Sequence, residues 1–169
     1  MKKTLLAMLL MPIAMAAHAS DLPDPLKTPG AINPAVSQDN IRETICVKGW
    51  TKTIRPPVYY TNRLKMEQLR SGYAVDGDLD PRNYEEDHHL ALSLGGHPTS
   101  KANLRPQPRH TEWNAAKKDA LENVLHNKVC SYRNPLPLKV AQKAMMEDWI
   151  SAYNKYVPPG YKSRYAEAD

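Results

Sequence analysis

The sequence predicts an α+β fold built as one small domain, and three features carry that expectation. Two stretches, Thr111 to Val129 and Leu138 to Tyr156, repeat apolar residues at steps of three and four, the period of a helix with one buried face. Tyr84 to Leu94 alternates and then turns wholly apolar before Gly95-Gly96, as a strand running into a tight loop does. Ser20 to Asn40 carries four prolines and little periodicity, so it reads as an extended arm laid over the surface.

Taken in order, the chain opens with Lys2 and Lys3, an apolar stretch from Leu5 to Ala16, and Ala17-His18-Ala19, the small-x-small form of a leader-peptidase site. The pattern is that of a secretory signal peptide over residues 1–19, too short to span a bilayer. Cleavage after Ala19 is expected to give an exported protein, periplasmic or secreted, beginning at Ser20. About 150 residues remain, enough for one domain with a real core. The chain has 15 Pro, 9 Tyr, 3 Trp and no Phe, a composition that favours a loop-rich domain with a modest core. Its formal charge of +5 falls to +3 once Lys2 and Lys3 are removed, which is weak support for a polyanionic partner.

The arm is expected over residues 20–43 and the functional domain over 44–169. Thr44 to Ile54 is β-branched with a turn at Lys48-Gly49 and predicts a short hairpin, ended by Pro56-Pro57. Thr61 to Arg70 predicts a short helix with Thr61 as its N-cap. Asp76 to Pro81 is an acidic turn. In Thr111 to Val129, the residues Trp113, Ala116, Ala120, Leu121, Val124 and Leu125 share one face. In the last helix, Leu138, Ala141, Met145, Trp149, Ala152 and Tyr156 do the same and are read as core. Cys46 and Cys130 are the only cysteines; an even pair in an exported chain predicts a disulfide and cannot make a four-cysteine zinc site.

Residues 84–107, YEEDHHLALSLGGHPTSKANLRPQ, hold the chemistry-bearing types. Asp87-His88 closes the expected strand, Gly95-Gly96 lies in the loop, Asn103-Leu104 follows, and a helix opens near Asn114 and Lys117. This ordered set resembles the HNH endonucleases, whose ββα-metal finger runs strand, loop, strand, helix. The likeness extends through WNAAKKDALENVLHNKVC and the NPAV, TIC-x-x-GWT and IRPP segments to a group of exported bacterial HNH proteins. It therefore covers nearly the whole mature chain, with the ββα core expected at about 82–129 and the C-terminal helix at about 138–156.

The resemblance implies a metal-dependent endonuclease acting on DNA, with RNA as a further candidate substrate; the small charge excess and the lack of a recognition module argue against sequence specificity. One divalent ion, Mg, Mn, Zn or Ni, would act as Lewis acid and template. His88 would be the general base, Asp87 a metal ligand, and Asn103 the residue that fixes the loop so that His88 faces the phosphate. The third signature position lies between two rivals: Asn114, favoured by its Asn-x-x-Lys context, and His110. Three departures stand out. No CxxC zinc knuckles occur, so the Cys46–Cys130 staple would brace the finger; Ala91 replaces the usual proline; and His89 is extra, pointing away from His88 on a strand. Charge placement fits a nucleic acid, since Lys101 to Lys118 sets Lys101, Arg105, Arg109, Lys117 and Lys118 against Glu112 alone. Arg105, Arg109 and Lys117 are the candidate phosphate contacts, against the plainer reading of a solvated charge run.

Other patterns carry less. Asp87-His88-His89 spells the motif of the DHH phosphoesterases, but the chain lacks the strand–helix alternation of their larger domain. Asp76, Asp78, Asp80 and Asp87 match an EF-hand spacing, yet Pro81 stands where the loop needs glycine. HExxH and GxSxG are absent. The alternative function is a non-catalytic nucleic-acid-binding or interaction module on the same scaffold, and an immunity or inhibitor protein is a conceivable partner for the nuclease.

Overall fold

The computed structural model describes residues 21–161, so the expected leader lies outside the described residues. The elements are α1 (Trp50–Ile54), α2 (Val58–Gln68), β1 (Tyr84–His88), β2 (Leu104–Pro108), α3 (Ala115–Val129) and α4 (Leu138–Tyr156), with short 3-10 turns between them and a π turn (Leu69–Tyr73) following α2. β1 and β2 form a two-stranded antiparallel sheet in which Asp87 faces Arg105 and His88 faces Leu104. The expected α+β class is therefore found.

The core lies between α3, α4 and the apolar loop after β1. Leu121, Leu125 and Val129 of α3 meet Ala141, Met145 and Trp149 of α4 and Leu90 and Leu94 of the loop, all essentially out of contact with water. Each buried Leu, Val or Met among them contributes about 1.5–3 kcal/mol of transfer free energy. α2 braces the other side of the sheet: Gln68 Nε2 donates to the Leu104 carbonyl at 2.8 Å and Lys65 Nζ to the Tyr84 carbonyl at 3.1 Å.

The strand expected over 84–94 ends at His88. Leu90 to Leu94 instead form a buried loop with a 3-10 turn, because Gly96 lets the chain fold back on itself. A Cβ at Gly96 would lie 1.8 Å from the Leu90 carbonyl oxygen. Only glycine allows so close an approach.

The hairpin expected over Thr44 to Ile54 is absent. Cys46 N donates to Ile41 O and Trp50 N to Val47 O, so the chain winds in successive turns, and Gly49 (φ 86°) leads into α1. β-branched propensity loses here because no neighbouring strand is available, whereas Ile45 and Trp50 gain contact with the core. Helix α2 begins three residues before Thr61, after Pro57, whose ring presets φ at −66°. Thr61 Oγ1 bonds the Val58 carbonyl within the helix and caps nothing. Helix α3 starts at Ala115, not Thr111, with Asn114 as N-cap. Trp113 therefore precedes the helix, edge-on to Trp149 and Tyr153 with ring centres 5.9 and 5.6 Å apart.

Helix α4 matches its expected bounds but breaks at Asp148 (φ −160°, ψ 90°). The Asp148 carboxylate restarts it, accepting from Ser151 N at 3.0 Å and Ser151 Oγ at 2.6 Å. The arm is more than a surface strap: Ile32 bridges Gly96, and Val36 and Ile41 enter the core. Cys46 and Cys130 form the expected disulfide, with Cα atoms 5.5 Å apart and a separation of 84 positions in sequence.

Candidate active site

One side chain ties the loop between β1 and β2 to its surroundings. Asn103 is fully buried; its Oδ1 accepts from Leu90 N at 2.8 Å and Ala31 N at 3.3 Å. Its Nδ2 donates to the Leu90 and His97 carbonyls, both at 3.0 Å, and its own carbonyl accepts from His89 N at 2.7 Å. Two donors and two lone pairs exhaust what an amide offers. The loop, the arm and the end of β1 are thereby pinned to the start of β2.

His88 lies at the end of β1, 5% exposed. Its Nε2 is 2.9 Å from the Pro98 carbonyl. A carbonyl only accepts, so Nε2 carries the proton and Nδ1 keeps the lone pair. Burial lowers the His88 pKa below its ordinary 6.5, an effect the Pro98 bond and Asp87 only partly oppose. The ring is thus neutral at neutral pH. His89 turns the other way, as the strand alternation requires, and donates from Nδ1 to the Thr28 carbonyl of the arm at 2.8 Å. Burial and the Lys118 charge push its pKa down to about 4.

Asp87 is occupied. Its Oδ1 accepts from His88 N at 2.7 Å and its Oδ2 from Lys118 Nζ at 2.6 Å. Lys118, on α3 and almost wholly buried, also donates to the His88 carbonyl at 2.7 Å and to Glu122 Oε1. All three ammonium protons are therefore used. Burial disfavours both charges of the Lys118–Asp87 pair, but each partner outweighs it for the other: the lysine pKa is raised and the aspartate pKa lowered. The acids left over are crowded. Burial, opposed by Lys118 and aided by Asp87 and Asp119, pushes Glu122 up to about 8; burial and Asp87 push Asp119 up to about 7.

The other expected site residues are scattered. The Asn114 side chain accepts from Lys117 N at 3.1 Å and so caps α3, while His110 is exposed in the preceding turn. Arg105 is buried, 5% exposed, with its guanidinium on the Asp21 carbonyl at 3.2 Å, and burial lowers its pKa to about 10. It faces the arm, not solvent, because β2 is covered along its whole length. Arg109 is half-exposed and pairs with Glu85 at 3.4 Å; Lys117 lies 4.4 Å above the Trp113 ring. The acidic turn closes on itself, Asp78 accepting from Asn83 and Asp80 pairing with Arg82.

A divalent ion does not fit the residues present. The Asp87 carboxylate is filled by an ammonium and an amide, Asn114 spends its side-chain oxygen on capping α3, and among the described residues no three His, Cys, Asp or Glu side chains gather as a metal would need.

Sequence reasoning counted Lys118 only as part of a basic run and passed over Asp119 and Glu122. The usable signal was a lysine and a glutamate four apart, one turn of helix, on a helix otherwise buried through Ala120, Leu121, Val124 and Leu125. Compared with protein-family models, curated proteins and solved structures, the chain matches none of them.

Proposed function

We propose that this protein is an exported endonuclease of the HNH kind, hydrolysing DNA phosphodiesters with little sequence specificity and using His88 as general base. The observation that supports it most is the state of His88. Pro98 holds the Nε2 proton, so the basic nitrogen is Nδ1, and burial keeps the ring neutral at the pH where a base is needed. In this reading Nδ1 takes a proton from water as its oxygen bonds phosphorus, the P–O bond to the leaving sugar oxygen breaks, and that oxygen is protonated from solvent. Arg55, exposed at the end of α1, is close enough for its charge to act on His88 and offers a cation for the scissile phosphate.

The test is plasmid nicking by Ser20–Asp169, with each of Mg, Mn, Zn and Ni and with EDTA, beside His88→Ala. Cleavage lost in a folded His88→Ala is the expected result. The low exposure of His88 favours a second reading, a nucleic-acid-binding module without hydrolysis. Absence of nicking by folded, oxidised protein under every condition, together with DNA retardation in a gel, would establish it.

A further inference from the structure

We infer that Lys118 is a resident cation: its ammonium stands at Asp87 where the resemblance places a divalent ion, and it positions His88 through the backbone. The inference rests on the arrangement around Asp87 and not on whether the protein cuts DNA. Three acceptors meet Lys118 Nζ, namely Asp87 Oδ2 at 2.6 Å, the His88 carbonyl at 2.7 Å and Glu122 Oε1. They come from two elements, the end of β1 and one face of α3, so the ammonium joins strand to helix as a metal joins its ligands. The side chain is 2% exposed, which excludes the swinging of a surface lysine.

The charges agree. Asp87, Asp119 and Glu122 all feel the one buried lysine, and the Arg55 charge also acts on Asp119. Removing Lys118 would leave the Asp87 and Glu122 carboxylates around a space that held a cation. Oxygen donors so placed favour Mg²⁺ or Mn²⁺. The His88 carbonyl would be left as a third oxygen.

The experiment is a titration of oxidised Ser20–Asp169 with Mn²⁺, followed by electron paramagnetic resonance and calorimetry, for wild type, Asp87→Asn and Lys118→Ala. Wild type should show no saturable site in the micromolar range. Lys118→Ala should gain one site, at least about tenfold tighter than any wild-type binding, because a positive charge a few ångströms from the ion has been removed. A stoichiometric wild-type site that Asp87→Asn abolishes would overturn the inference. So would a folded Lys118→Ala that binds no better than wild type. Should Lys118→Ala fail to fold, the wild-type and Asp87→Asn titrations decide alone. Nicking measured on the same samples judges the nuclease reading separately: a protein that never cuts leaves the titration result standing.

Discussion

Replacing Glu86 by glutamine should stabilise the protein at neutral pH and do nothing at acid pH. Both Glu86 carboxyl oxygens are buried without a hydrogen-bond partner. Burial first, then the neighbouring Asp87 charge, push the group from 4.5 up to about 8, against the pull of Lys65 and Arg105. The folded chain therefore keeps a proton that the unfolded chain has released between those values. A folded pKa raised in this way means stability lost as pH rises through the window. At pH 7 the gap is about 2.5 pH units above the unfolded pKa, and at about 1.4 kcal/mol per unit the penalty is about 3 kcal/mol. Glutamine has the shape of the protonated acid and no proton to lose. Urea unfolding of oxidised Ser20–Asp169 at pH 4, 7 and 8.5 reads the difference directly. The two proteins should coincide at pH 4, and the variant should lead by up to about 3 kcal/mol at pH 7. Because Asp119 and Glu122 titrate alike in both, only the difference matters. An equal offset at all three values would refute the reasoning.

Other outcomes follow from the same structure. Cys46→Ser removes a bridge across 84 residues, and in the chain-entropy picture this costs at most about 4–5 kcal/mol; a melting temperature unchanged under oxidising conditions would rule the staple out. Asn103→Ala deletes four side-chain hydrogen bonds in a sealed site and should cost about 2–4 kcal/mol, with hydrogen exchange fastest at Leu90 and Ala31; unchanged protection of those amides would contradict the clamp. If His88 is the base, its lowered pKa puts the acid limb of the nicking profile below pH 6.5, with activity rising through that limb to a neutral plateau; a limb centred above 6.5 would point to another group.

What was legible in the sequence was local or arithmetical. Helix α4 kept its expected bounds because Leu138, Ala141, Met145, Trp149 and Ala152 step at the helical period, a signal strong enough to survive the break at Asp148. The disulfide followed from there being two cysteines. Other features were settled by tertiary contacts. Thr44 to Ile54 has strand propensity, but a strand needs a partner and this segment has none, so it turns into α1. Arg105 reads as a phosphate contact in a basic run, yet its place on a covered strand turns it toward the arm. Asp87 and Lys118 are 31 residues apart and carry no mark of each other in the sequence. The chain's own order determined which helices and which staple form. Whether a carboxylate beside a histidine holds an ion or an ammonium was decided by packing, because only the docking of α3 against β1 brings Lys118 within reach of Asp87.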